Sequence, residues 1–140
     1  MAINSEKAAK PVGKYVHAKE AGDLVFLSGV GPRHPETDEI PEGIKAQTHA
    51  VFSNVNAILK AANLSMSNVV DIMVFLTNMK DDFSQFNQIY SEYLEGYEVT
   101  RTTIEVGSLP TPISVEFKVC LLYTSPSPRD QEASRMPSSA

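Results

Sequence analysis

The chain has 140 residues, 42% of them hydrophobic, and a formal net charge of −5. That length supports one domain with its own core, and the acidic balance disfavours nucleic acid or an anionic membrane surface as main partner, since both attract basic faces. A single cysteine, Cys120, permits neither an internal disulfide nor a cysteine-built metal site.

In chain order, the opening MAINSEKAAKPVGKY lacks the apolar centre of a signal peptide, so a cytoplasmic location is expected. KYVHAK alternates, with Tyr15 and His17 on one face and Val16 and Ala18 on the other. AGD then reads as a turn and LVFLSG as a short apolar strand, which together predict a hairpin. Val30 to Gly43 holds three prolines and two glycines and reads as a structured loop. Loops of this length in a compact domain are often functional. From Ile44 the period becomes helical: Ile44, Val51, Val55, Ile58, Leu59 and Ala62 share a face, with Asn63 as a left-handed stop.

NVVDIMVFLTN is nearly continuously apolar and β-branched, as in a strand buried on both faces. In DDFSQFNQIYSEYLEG, Asp82 and Gln85 have capping-box spacing, and Phe83, Phe86, Tyr90, Tyr93 and Leu94 form a buried stripe ended by Gly96. RTTIEV and PISVEFKV are two further strands around GSLPTP, a loop too long to license their direct pairing. The order is β-β-α-β-α-β-β, which indicates an α/β or α+β sheet with helices packed against it. No segment approaches the roughly 20 apolar residues that cross a bilayer.

From Cys120 the text changes character. Thr124 to Ala140 is rich in Ser and Pro and reads as a disordered tail. Codons that spell Cys120 to Asp130 and Ser134 to Ala140 resemble a transposase-type sequencing adapter. The expectation is a single domain over residues 1–119 and a non-native tail over 120–140, in which Leu121, Leu122 and Tyr123 can still extend the last strand.

Two charges stand out where neutral side chains would fold as well. Arg101 opens one alternating run and Glu116 lies inside the next, each on the less apolar face of its strand. Charges on solvated strand faces are common, and that plain reading stays open. A guanidinium also binds a carboxylate bidentately, and a carboxylate can hold and activate water. Such a pair suits hydrolysis of a small carboxylated molecule.

Here the sequence resembles a known family. SGVGPRHPETDEIP is similar, without gaps, to the Ser-Gly-Gln-Ile-Pro…Pro…Thr-Gly-Glu-Val-Pro segment of the Rid (RidA/YjgF) proteins, the enamine/imine deaminases. AQTHAVFSNVNAILKAANLS resembles that family's first long helix, and VVDIMVFLTNMKDDFSQFNQIYSEYL its central strand and second helix. RTTIEVGSLPTPISVEFKV resembles its carboxy-terminal signature. The resemblance covers about Gly13 to Val119, and GVGPRHP with RTTIEV stands nearest the 2-aminomuconate deaminase branch.

The resemblance implies a chorismate-mutase-like α+β fold, a mixed sheet with two helices on one face, assembled as a homotrimer with sites between subunits. It implies a reaction needing no cofactor and no metal, acting on a small carboxylated enamine or imine of the 2-aminoacrylate type. Arg101 would grip the substrate carboxylate and Glu116 would position the attacking water. Tyr15, Ser28, Gly29, Asn87 and Thr103 would line the pocket. Thr103 stands where many members carry cysteine, and Val30 where they carry glutamine. The alternatives are a 2-aminomuconate-type dicarboxylate deaminase and a non-catalytic trimer that binds small ligands. A ribonuclease reading finds no basic stripe or aromatic platform.

Arg33 lies in the Gly/Pro loop, either as a solvated charge or as a clamp for a second carboxylate. His17, His34 and His49 lack metal-ligand spacing. Tyr90 and Tyr93 read as packing residues. Glu105 either extends the site or forms a solvated or inter-subunit pair.

Overall fold

Period-two patterning in the strands and helical patterning between them sort apolar side chains onto a single layer boundary. The computed structural model describes residues 1–123, so the expected disordered tail from Thr124 lies outside the described residues. The strands are β1 (Ala2–Ile3), β2 (Ala18–Ala21), β3 (Leu24–Leu27), β4 (Val69–Leu76), β5 (Thr100–Glu105) and β6 (Val115–Leu122). The helices are α1 (Ile44–Ala61) and α2 (Met79–Tyr93). One six-stranded sheet runs β1-β2-β3-β6-β4-β5. Only the β4–β5 pairing is parallel. The α+β mixed sheet expected above is the architecture observed. Among the described residues, no helix is long and apolar enough to cross a membrane.

The hairpin forms where AGD predicts a turn. Ala21 pairs with Leu24, and Gly22 takes a φ of 63°, which a two-residue turn favours and a side chain would resist. Its first strand starts at Ala18, later than the alternation suggested: the His17 carbonyl still accepts the Ser28 N–H at 3.0 Å, but the His17 N–H and ring are bonded to residues 4–9. The two-residue β1 was not expected, being too short to carry a period.

α1 buries Ile44, Val51, Val55, Ile58 and Leu59. It stops as predicted: Asn63 has a φ of 59°, its N–H reaches the Lys60 carbonyl at 3.0 Å, and the Leu64 N–H reaches the Leu59 carbonyl at 2.8 Å. These paired bonds satisfy carbonyls that a helix end leaves without partners. α2 begins about one turn before the predicted capping box. Asn78 is the N-cap, its side chain accepting the Asp81 N–H at 3.1 Å. Asp81 and Asp82 then fall in the first turn, where the helix dipole favours acidic groups.

Both helices pack on one face of the sheet. Val115, Phe117, Val119 and Leu121 of β6 are 0% exposed. With Ile72, Val74 and Leu76 of β4 they meet Val51, Phe52 and Val55 of α1 and Phe86 of α2. Each such side chain contributes about 1.5–3 kcal/mol by leaving water. One expectation changes here. β4 buries one face only in the single chain, since Val70 is 44% exposed and Met73 and Phe75 are half-buried. β6 continues through Cys120–Leu122, the extension that the apolar Leu121 and Leu122 allowed, and Leu121 pairs with Val25 and Val69.

Register fixes where the two charges point. Ile72 is paired with both Arg101 and Val119, so Arg101 shares the helix-covered face. Phe75 is paired with Glu116, one step out of phase, so Glu116 projects from the opposite face. Of the two readings left open for Arg101, a solvated strand face is not the one observed. Thr100, Thr102, Ile104 and Glu105 are the exposed members of β5, while Arg101 and Thr103 are half-buried and turn toward α2.

Candidate active site

Glu116 is set by a bridge between the Gly/Pro loop and β6. The Val30 N–H donates to the Phe117 carbonyl at 2.8 Å, and the Phe117 N–H returns a bond to the Val30 carbonyl at 2.9 Å. The bridge presses Gly29 onto the neighbouring carboxylate. A Cβ at Gly29 would lie 2.6 Å from Glu116 Oε2 and 2.9 Å from its Cδ. Glycine leaves the carboxylate in that position, where any side chain would push it aside; no left-handed backbone is involved. The Ser28 hydroxyl donates to the Val16 carbonyl at 2.7 Å, and the Tyr15 hydroxyl accepts the Val12 N–H at 3.2 Å. Tyr15, Ser28, Gly29, Arg33 and Glu116 all line one cleft of about 70 Å³. Waters need about 10–15 Å³ each by this measure, so the cleft has room for several.

Glu116 is half-buried and, among the described residues, has no ion-pair partner. Burial pushes its carboxyl above the ordinary range. A carboxylate so placed is a stronger base than a solvated one and can take a proton from water.

Arg33 turns out to be a brace, not a solvated charge. One terminal nitrogen meets Asp38 Oδ1 at 2.5 Å and the other donates to the Lys10 carbonyl. Both forks of a carboxylate clamp are thus engaged within the chain.

Two residues that organise the cleft were not singled out as such from the sequence. Asn54 is buried on α1 and ties three backbone groups: its Oδ1 accepts the Ala9 N–H at 3.2 Å, and its Nδ2 donates to the Gly31 and Arg33 carbonyls, both at 2.9 Å. The available signal was an amide within the Val51–Val55–Ile58 apolar stripe, since a buried amide must be bonded. His17, also buried, accepts the Ser5 N–H on Nδ1 at 2.9 Å and bonds the Ala9 carbonyl through Nε2 at 2.7 Å. Only the neutral Nε2–H tautomer satisfies both contacts. His34 and His49 have structural contacts as well, His34 with the backbone of its own loop and His49 with the Tyr93 hydroxyl at 2.8 Å.

Arg101 occupies a second group at the β5 edge. Its Nη1 donates to Asn87 Oδ1 at 2.8 Å. Its Cζ lies 4.6 Å from the Tyr90 ring centroid, 5.7 Å from that of Phe86 and 5.8 Å from that of Phe83. Among the described residues, no carboxylate neutralises it. Two buried oxygens, Thr103 Oγ1 and the Tyr90 hydroxyl, have no hydrogen-bond partner among the described residues. Burial pushes the Tyr90 hydroxyl up, against the opposing effect of the Arg101 charge, so it stays a neutral phenol. Glu105 does not extend the site; its Oε1 accepts the Met79 N–H at 2.8 Å at the start of α2.

The sequence-assigned residues therefore form two half-sites: Tyr15, Ser28, Gly29, Arg33 and Glu116 in one, Asn87, Arg101 and Thr103 in the other. A single chain does not unite them. One half offers an unneutralised guanidinium to an anion; the other offers a basic carboxylate beside space for water.

Comparison with known proteins agrees with the fold. The family model described as Endoribonuclease L-PSP matches residues 5–122. A RutC family protein of Pyrococcus abyssi is 40% identical over 117 residues, covering 83% of this chain and 91% of the relative. The crystal structure of Escherichia coli TdcF with bound serine has a TM-score of 0.83 at 30% identity, covering 89% of this chain and 99% of that one. TdcF bears the name of a reactive intermediate deaminase. RidA from an Antarctic Psychrobacter bacterium has a TM-score of 0.82 at 37% identity, covering 87% and 98%. On the span and identity of these matches, the chain belongs to the endoribonuclease L-PSP family, which includes the Rid and RutC proteins.

Proposed function

We propose that this chain hydrolyses reactive enamine/imine intermediates of the 2-aminoacrylate type, releasing a keto acid and ammonia. The observation that carries this reading is the pair of partly buried, unneutralised charges: holding either away from water without a counter-ion is costly unless a ligand supplies one. Likeness to TdcF supports the same class of chemistry. Arg101 binds the substrate carboxylate, and the enamine tautomerises to the imine. Water held by Glu116 adds to the imine carbon, its proton passing to the carboxylate. That proton passes on to the nitrogen to complete the carbinolamine, and a second transfer through Glu116, from the new hydroxyl to the nitrogen, releases ammonia as the C=O forms. Orientation of carboxylate, carbon and water supplies much of the acceleration, and acid/base assistance adds about 10²–10⁴-fold. These steps call on neither a cofactor nor a metal.

The two half-sites lead us to propose a homotrimer in which Arg101 of one copy faces Glu116 of the next. The sheet face bearing Glu116 also presents Phe26 and Leu122, 41% and 42% exposed, together with Met73 and Phe75, an apolar surface suited to a second copy. A monocarboxylate is favoured over a 2-aminomuconate-type dicarboxylate because Arg33 is already engaged by Asp38 and Lys10. A net charge of −5 weighs against RNA cleavage, despite the family's description.

Arg101→Ala and Glu116→Gln provide the test. Each alone is expected to abolish turnover of dehydratase-generated 2-aminoacrylate above the uncatalysed rate. Mixed in equal amounts under subunit exchange, they should recover activity, because about one site in four joins an intact Arg101 to an intact Glu116 when distinct subunits share the site. Full activity in either single variant refutes the residue roles. Complete exchange without recovery refutes the shared site. Saturable keto-acid binding with no turnover by the unaltered chain would favour a non-catalytic ligand-binding trimer.

A further inference from the structure

Taking Arg101 as the carboxylate-gripping group, as proposed above, we infer that Tyr90 is the positioning residue for its guanidinium, acting through the ring face and not through the hydroxyl. An arginine side chain turns about several bonds, so a single hydrogen bond to Asn87 leaves its outer atoms free to swing. Three aromatic rings restrict that motion. Phe83, Phe86 and Tyr90 lie three, four and seven residues apart along α2, which stacks them on the helix face that β5 crosses. Tyr90 is the nearest, its centroid 4.6 Å from Cζ, against 5.7 and 5.8 Å for the other two.

The rings do more than pack. A guanidinium over an aromatic face gains electrostatically from the ring quadrupole, and does so without the negative charge that would cancel its pull on an anionic ligand. An aspartate in the same position would fix Arg101 and disable it; an aromatic ring fixes it and leaves the charge available. Tyr90 is itself held by Phe52, Phe86 and Phe117, with centroids at 5.9, 5.6 and 6.2 Å, so the platform belongs to the rigid core. Its hydroxyl has no hydrogen-bond partner among the described residues. That singles out the ring, because Phe offers the same face and removes an unsatisfied group.

Four variants of the full chain, Tyr90→Phe, Tyr90→Leu, Phe83→Leu and Arg101→Ala, are compared by two readouts. The first is side-chain NMR of the arginine guanidinium groups, with Arg101→Ala assigning the resonance; it needs no turnover. The second is affinity for pyruvate together with the KM and kcat of the coupled assay. Tyr90→Phe should keep the ring-current-shifted, slowly rotating Arg101 resonance, bind pyruvate within about twofold of the unaltered chain and melt no lower. Tyr90→Leu should lose the shift and weaken pyruvate binding and KM by roughly 3–30-fold, with a smaller change in kcat. Phe83→Leu, at a half-buried and more distant ring, should give a weaker version of the same change and covers the case in which Tyr90→Leu fails to fold. The inference is overturned if Tyr90→Leu, or failing it Phe83→Leu, leaves the Arg101 resonance and the affinity unchanged. It is equally overturned if Tyr90→Phe is as damaging as the leucine variants. Loss of the resonance shift in a chain that shows no turnover or pyruvate binding at all would uphold the aromatic cradle and reject the deaminase reading, so the two failures are distinguishable.

Discussion

Replacing Gly29 with alanine tests the Glu116 half-site without touching a charged group. The added methyl carbon would stand 2.6 Å from Glu116 Oε2, whereas unstrained contacts lie near 3.5 Å, so the carboxylate must retreat by about 0.9 Å. The backbone cannot yield in its place, because Val30 and Phe117 hold each other by two hydrogen bonds immediately beside the contact. A displacement of about 1 Å at a reacting group costs about 10²-fold in rate, which is about 2.7 kcal/mol of transition-state stabilisation. Stability should change much less. Gly29 has no left-handed backbone for alanine to strain. Because the atoms met are the yielding tip of a side chain, the overpacking cost falls at the low end of about 1–3 kcal/mol, and about 0.4–1 kcal/mol from the stiffer unfolded chain offsets most of it. A dehydratase-coupled assay of keto-acid release should therefore show kcat/KM down about 100-fold, beside a melting transition that remains cooperative. Unaltered turnover in a folded Gly29→Ala protein would refute the claim that Glu116 acts from this position.

Glu116 also makes a pH-dependent prediction. Its folded carboxyl is raised by burial, so its contribution to stability is fully present below the ordinary carboxylate range and is lost as pH rises through the raised value. Glu116→Gln should consequently melt higher than the unaltered chain at neutral pH, with the gap closing at acid pH, as scanning calorimetry across pH would show; a lower melting point at pH 8 would contradict it. Asn54→Ala strips the Ala9, Gly31 and Arg33 backbone groups of their partner and should cost about 2–4 kcal/mol by chemical denaturation. Asn54→Asp should be comparably harmful at neutral pH, since an acceptor would then face two carbonyls, and a neutral result for both would remove Asn54 from the account of the cleft.

Much of the scaffold could be read from pattern because its causes are local. The α1 stripe and its Asn63 stop depend on residues within a few positions of each other, as does the Gly22 turn. The start of α2 was misplaced because Asn78 and Asp82 both belong to residue types that cap helices, and only the end of β4 decides between them. The surroundings of β5 stayed open in the sequence for a less local reason. A run of Arg101, Thr103 and Glu105 looks solvated in one dimension, yet α2 meets it with an amide, three rings and a free amino terminus. Nor could alternation alone reveal that Arg101 and Glu116 diverge, since their phase relation passes through β4, which pairs with both strands. Tyr90 fitted a packing stripe and does pack; its second role depends on what the sheet edge lays over it.

The amino-terminal wall of the cleft is attached differently from everything behind it. Residues 4–12 contribute almost no ladder and few buried apolar side chains, and they are moored through Asn4, His17, Asn54 and Arg33. Fastenings of that kind can detach while the Phe52–Phe117 core stays intact, so the wall is the first part to swing away on warming. Heat would then act in two stages, an early reversible opening of the cleft followed by collapse of the sheet, and any function that needs the cleft closed would fail at a lower temperature than the one at which the protein unfolds.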